Sequence, residues 1–155
     1  FTERAEALFA TAKRHRQPLT VVMIDLDHFK QINDRQGHEG GDKALQLFAQ
    51  TLGETRRTGD LVGRLGGEEF CVLLPQGPDG TASGFDQRLR KRLEQVTHAE
   101  LGFALDYSAG AASMTHSDAT LAGLMARADA ALYRAKHDGR ARLLTGASLA
   151  GDTVV

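Results

Sequence analysis

With 155 residues, of which 41% are hydrophobic and 25% charged, the chain is long enough to bury one core and too short to divide into two domains. A formal net charge of −1 and the lack of a long Lys/Arg run exclude the basic footprint of a duplex nucleic-acid binder, while a phosphate-bearing small molecule stays open as a ligand. Cys71 is the single cysteine, so no internal disulfide forms and a reducing compartment suits the fold; inside an apolar run it reads as a small buried hydrophobe. No apolar stretch approaches the length of a membrane span and no signal peptide is visible. The chain opens on helical sequence at Phe1 without a Met, which reads as a domain excised from a longer protein, with any sensor or membrane anchor outside it.

Phe1, Ala5, Leu8 and Ala12 recur at helical spacing up to Lys13-Arg14-His15-Arg16, a basic run that suits a solvated helix C-terminus before Pro18. Leu19 to Leu26 is nearly all apolar, the pattern of a strand buried on both faces. It ends in Asp25-Leu26-Asp27, and a period of two puts both aspartates on one face. Ionised carboxylates are costly there unless donors or a cation meet them, and a hard divalent cation is a natural partner. After His28-Phe29-Lys30, residues 31–42 read as a polar, glycine-rich connection able to offer amide and carboxylate contacts to a base or sugar. A helix is expected from Asp42, with Leu45, Phe48, Ala49 and Leu52 inward and Asp42 as its cap.

Thr55 to Asp60 is read as a connection carrying Arg56 and Arg57. It leads into a hairpin whose two apolar runs, Leu61 to Leu65 and Phe70 to Leu74, flank the two-residue turn Gly66-Gly67. Glu68 and Glu69 stand at its mouth beside backbone without Cβ atoms, where a large anion can approach closely. They are either solvated turn residues or carboxylates set to hold a metal beside a phosphate. Pro75 closes the hairpin before a loop through Gly77, Pro78 and Gly80. An amphipathic helix follows with Phe85, Leu89, Leu93 and Val96 on one side, then a strand over Leu101 to Ala112. A last helix is expected, capped by Ser117 or Asp118, striped by Leu121, Leu124, Met125, Ala128, Leu132 and Ala135, and stopped by Gly139. Residues from Gly146 onward read as a frayed tail that ends in a short strand.

This order implies an α+β fold in which helices cover an antiparallel-rich sheet. If the hairpin pairs beside the strand ending in Asp25, then Asp25 and Glu68 meet at one sheet edge. Two hard cations held there would polarise an α-phosphate, activate an attacking hydroxyl and stabilise a pyrophosphate leaving group, which is nucleotidyl transfer. Lys136 and Arg140, four residues apart at the end of the last helix, either complement the helix dipole or hold phosphates.

Gly66-Gly67-Glu68-Glu69-Phe70 resembles the signature of the GGDEF (GGEEF) family of diguanylate cyclases, which condense two GTP into cyclic di-GMP and two pyrophosphates. The resemblance extends over Asp25 to Lys30, Ile32-Asn33-Asp34, Gly37-His38, Gly41-Asp42, Ala128 to Lys136 and Gly139-Arg140. It implies a palm-like nucleotide-cyclase domain over residues 1–145, N-terminally truncated because the family's Asp-x-Leu-Thr-Gly-Leu-x-Asn-Arg segment would precede Phe1, with residues 146–155 as a tail. It further implies Mg²⁺ or Mn²⁺, two per active half-site, on Asp25, Glu68 and the Leu26 carbonyl. Asn33 and Asp42 would then bind guanine. The His28, Phe29 and Lys30 backbone, with Lys136 and Arg140, would bind the phosphates, Gly66 and Gly67 would lie against the nucleotide, and Glu69 would assist deprotonation of the 3′-hydroxyl.

Because one domain binds one GTP in this family, catalysis implies a homodimer, with no nucleic acid partner and no membrane contact by the domain itself. Localisation would be cytoplasmic, within a larger sensor. Arg57 and Asp60 match the family's Arg-x-x-Asp site for inhibition by cyclic di-GMP, and Arg88 either falls where a second arginine of that site can lie or is a solvent-facing helix charge. The sequence departs from the family at Ala141, where Asn is usual, and the Tyr107 to Ala112 segment is a loose version of a family strand. The alternative reading is a non-catalytic receptor for GTP or cyclic di-GMP that regulates a partner. A cyclase or polymerase of other nucleotides is disfavoured by the Asn33 and Asp42 pair.

Overall fold

The computed structural model describes residues 1–75 and 81–146. Its elements run α1 (Thr2–His15), β1 (Thr20–Leu26), α2 (Phe29–Thr55), β2 (Leu61–Gly66), β3 (Glu69–Leu74), α3 (Thr81–Leu101), β4 (Tyr107–Ser113), α4 (Leu121–His137) and β5 (Leu143–Thr145). The strands form one sheet in the order β2-β3-β1-β4-β5. All pairings are antiparallel except β4 with β5, which is parallel.

Every residue of β1 is buried because helices cover both faces of the sheet, as its unbroken apolar run requires. Val22, Ile24 and Leu26 face a core shared with Phe48, Phe70, Phe85, Leu89 and Tyr107 under α2 and α3. Val21 and Met23 face a second core with Phe9, Cys71, Leu124, Ala128 and Leu132 under α1 and α4. Asp25 and Asp27 continue this second face, so the catalytic-looking end of β1 looks toward α4. Cys71 has no solvent exposure, and burial pushes its thiol up to about 12, so it is an inert core side chain.

Helix α4 lies unusually close to the sheet, and the cause is the run of small residues on β4. A Cβ at Gly110 would fall 2.0 Å from the Leu132 nitrogen and 2.2 Å from the Ala128 carbonyl. The loose family strand is therefore a contact surface for helix backbone.

Several sequence-based boundaries move. Residues 31–42 are helical, not a connection: α2 runs from Phe29, interrupted only at Gly37 (φ 74, ψ 173), a conformation open to glycine alone. Asp42 accordingly sits inside α2 and does not cap its start. The hairpin turn is shifted by one residue. Gly66 (φ 152) ends β2, Gly67 (φ 51) and Glu68 form the turn, and the register slips between Arg64 and Gly66. Leu101 belongs to α3, and the strand begins at Tyr107. Thr55 belongs to α2, leaving 56–60 as the connection. Helix α4 is capped by Thr120, whose hydroxyl accepts from the Gly123 N–H at 3.1 Å. Asp118 instead accepts from the Thr115 N–H at 2.8 Å and pairs with Arg127. At its far end α4 runs to His137 with Asp138 as cap, and Gly139 follows at φ 112 with the Arg140 N–H donating to the Ala135 carbonyl at 2.9 Å, so the helix is stopped at Gly139 as expected. Strand β5, absent from the sequence reading, begins two residues after Ala141. The loop through Gly77, Pro78 and Gly80 and the tail over 147–155 lie outside the described residues.

Candidate active site

Asp25 ends the buried strand only 6% exposed. Close packing of α4 on β4 carries the Lys136 ammonium to it, where it donates to Asp25 Oδ2. Pairing of β3 with β1 brings in the turn, with the Leu26 N–H donating to the Glu68 carbonyl at 3.3 Å. The Glu68 carboxyl is raised above its ordinary value, first by burial and then by the charge of Asp25 and a hydrogen bond with it; Lys136 pulls the other way and Glu69 adds to the rise. Two carboxylates thus share one ammonium, and one negative charge is left without a cation. Among the described residues no three His, Cys, Asp or Glu side chains gather. The hard-oxygen set of two carboxylates and a strand-end carbonyl still fits Mg²⁺, which keeps several positions for water and substrate phosphate. Glu69 faces Asp25 in the ladder and is exposed. Arg64, unremarked in the sequence, donates from Nε to the Gly67 carbonyl at 2.8 Å and fixes the turn.

Asp27 is buried but fully engaged. It accepts from Ser108 Oγ at 2.7 Å and from the Ala141 N–H at 2.9 Å, which makes it an anchor for the loop after α4. Arg140 lies beyond the end of α4 with φ 64. The expected four-residue helical pairing with Lys136 is therefore corrected: Arg140 reaches the site through this loop, its Nη1 standing 4.0 Å from Asp27 Oδ1.

The turn from β1 into α2 begins at His28, left-handed at φ 56 and making no side-chain cap. The first amide groups of α2, from Phe29 and Lys30 onward, remain available to an anion, as at other helix N-termini. The break at Gly37 folds the two segments of α2 against each other. Gly41 allows this contact, because a Cβ there would lie 1.9 Å from Asn33 Oδ1 and 3.3 Å from the Phe29 ring. Asn33, half-buried, thereby lies against Gly41, the residue before the exposed Asp42.

Arg57, Asp60 and Arg88 meet elsewhere, around a cavity of about 570 Å³ also lined by Thr58 and Gly84. The Arg57 N–H donates to Asp60 Oδ2 at 2.9 Å, a tight turn that fixes the Asp60 carboxylate against the Arg57 backbone. Arg88 is held below its ordinary value by burial and then by the positive charge of Arg57, while Asp60 pulls the other way. Sequence spacing alone places Arg57 and Asp60 together; Arg88 joins them because α3 packs alongside α2 and the hairpin.

Over residues 1–142 the chain matches the family described as "Diguanylate cyclase, GGDEF domain". It is 39% identical over 136 residues to a diguanylate cyclase of Vibrio cholerae, covering 88% of this chain and 42% of that protein. The chain spans less than half the length of the curated relatives it matches. The fold superposes on the active GGEEF domain of a Vibrio cholerae diguanylate cyclase with a TM-score of 0.86 at 36% identity, covering 95% of this chain and 94% of that one. On the GGDEF domain of DgcB from Caulobacter crescentus, in complex with c-di-GMP, the TM-score is 0.85 at 27% identity, covering 94% and 87%. Among the described residues no helix is long and apolar enough to cross a membrane. With its signature at the hairpin turn and its carboxylates at the end of β1, the chain belongs to the diguanylate cyclase GGDEF-domain family.

Proposed function

We propose that this domain is a diguanylate cyclase, joining two GTP into cyclic di-GMP with release of two pyrophosphates. The observation that carries the reading is the meeting of Asp25 and Glu68 at one sheet edge with Lys136 as their cationic neighbour among the described residues. Asp25, Glu68 and the Leu26 carbonyl hold the divalent cations. When bound, these supply Lewis-acid stabilisation of the phosphate charge that Lys136 alone cannot.

The chain's own groups do the rest. Asn33 and Asp42 orient guanine, Asp42 accepting from the N1–H and 2-amino groups. The first N–H groups of α2 lie against the β- and γ-phosphates, with Lys136 and Arg140 adding charge. Gly66 and Gly67 leave the main chain open to the nucleotide. In each half-reaction the 3′-oxygen forms a bond to the α-phosphorus, the bond from that phosphorus to the bridging oxygen breaks, and pyrophosphate leaves. Glu69 stands near the position where the 3′-hydroxyl gives up its proton. Each chain carries one substrate, so two chains face each other and both bonds close one ring.

The cavity at Arg57, Asp60 and Arg88 takes the product, its guanidinium groups on phosphate and guanine and Asp60 on the guanine N–H groups, and holds the enzyme in check. The cyclic di-GMP bound to the Caulobacter GGDEF domain supports a product site on this fold.

The test is product analysis after incubating the domain with GTP and Mg²⁺ beside Glu68→Gln. Cyclic di-GMP from the unaltered chain alone is expected. Equal product from both would remove Glu68 from the metal site. No product from either, with cyclic di-GMP still bound at Arg57, would favour a receptor.

A further inference from the structure

A second cavity, of about 220 Å³, lies between the first segment of α2 and the loop before β4. Its floor is apolar, formed by Ile32 and Phe103, both half-buried against the core under α2 and α3. Its rim carries His28, Gln31, Arg35 and Gln36. None of these four side chains is engaged in a hydrogen bond or ion pair with another described residue.

Both acids at this cavity already have partners. Asp27 accepts from Ser108 and the Ala141 N–H. Asp106 accepts from Arg90 Nη1 and from the Tyr107 N–H, both at 3.2 Å. Unused donors and one unpaired guanidinium therefore converge over an apolar floor. This is the anatomy of a ligand pocket, although pockets for drug-sized molecules run to roughly 300–1,000 Å³ and this one admits something nearer a single ring.

The geometry points to a binding site for a small organic anion with a flat apolar body, its charge taken by Arg35 and its ring lying on Ile32 and Phe103. An exposed arginine with no carboxylate partner is the group best suited to a carboxylate or phosphate, through its bidentate fork. Gln31 and Gln36 add neutral donors beside it. His28 links the cavity to the turn from β1 into α2, which holds a left-handed residue without a side-chain cap. An occupant braces that turn, and its effect on turnover rests on the cyclase reading above; binding itself does not.

Benzoate is the probe, titrated into the full chain and followed by amide NMR, with benzamide and inorganic phosphate as controls. Saturable shifts confined to residues 28–36 and 103–106 are expected. Arg35→Ala should weaken binding at least tenfold, and Ala104→Trp, which fills the cavity from its exposed rim, should abolish the shifts. Arg35→Ala removes no internal partner and folds, so it decides the matter even if Ala104→Trp does not. The proposal fails if benzoate gives no saturable shifts, if benzamide binds equally well, if inorganic phosphate matches benzoate, or if Arg35→Ala binds undiminished. A chain that binds benzoate yet makes no cyclic di-GMP would separate failure of the cyclase reading from failure of this one.

Discussion

The edge formed by Asp25, Glu68 and Lys136 and the cavity formed by Arg57, Asp60 and Arg88 have opposite electrostatics. At the first, carboxylates outnumber the cation, and Glu68 resists ionisation. At the second, guanidinium groups outnumber the carboxylate, and Arg88, which stays charged, is held below its ordinary value by burial and by the positive charge of Arg57. Each site is strained in the sense that an incoming charge relieves. The first carries excess negative charge and the second excess positive charge, so on the reading proposed above a phosphate ligand would bind directly to the second but would need metal at the first.

The contrast is sharpest under metal removal. Chelation should abolish turnover of GTP while leaving cyclic di-GMP affinity unchanged, measured by product formation and calorimetry on the same sample. Glu68→Gln should reproduce that pattern at saturating Mg²⁺. Its loss should be at least roughly a hundredfold, since even groups one step behind a metal ligand cost 10–100-fold when removed. If chelation weakened product binding equally, the two sites would not be independent.

Arg57→Ala works the comparison from the other side. Hydrogen bonds to charged groups are worth about 1.5–3 kcal/mol, so cyclic di-GMP affinity should fall by about one to two orders of magnitude. Initial turnover before product accumulates should be unaltered. Unchanged affinity would remove Arg57 from the product site.

A smaller effect is read in stability. In metal-free protein the folded-state value of Glu68 lies above its unfolded value, so folding binds a proton. The stabilising contribution is full below the ordinary glutamate range and is lost as pH rises through the raised value. Metal-free protein should therefore lose stability across that window. Glu68→Gln should flatten the loss by less than about 1 kcal/mol, because the group is largely solvated. Thermal melts at a series of pH values check it, and an unchanged slope in the variant would remove Glu68 as the source of the loss.

Much of both sites was legible because it depends on local patterning. The buried run ending in Asp25, the positive-φ glycines beside Glu68 and the spacing of Arg57 and Asp60 each carry a short-range signal. The first segment of α2 was not read as helix because polar, exposed residues and Gly37 mask its periodicity. Only the packing of Gly41 on Asn33 shows why a glycine is needed there. Lys136 was placed on α4 correctly, but its reach to Asp25 depends on Gly110 admitting a helix backbone, a contact between residues far apart in sequence. Arg140 lies off the helix because α4 ends at His137 and the chain turns at Gly139 (φ 112) before two further left-handed residues, Arg140 and Ala141, that are not glycine.

Those two residues, Arg140 and Ala141 (φ 64 and 49), support the last and smallest prediction. The Ala141 N–H donates to Asp27 and so sets the position of Arg140, which the proposed reading puts beside the phosphates, and the left-handed backbone that achieves this costs an alanine about 1–2 kcal/mol. Asparagine tolerates that conformation, as its side chain can hydrogen-bond locally. Ala141→Asn should therefore raise stability by about 0.5–1 kcal/mol and leave the product cavity at Arg57 untouched, seen as a higher denaturant midpoint with an unchanged slope. Asp27→Asn in the same background should cancel much of the gain, because the loop then loses its charged acceptor. If Ala141→Asn were neutral, the left-handed turn would not be under strain, and the anchoring of Arg140 would rest on Asp27 and Ser108 alone.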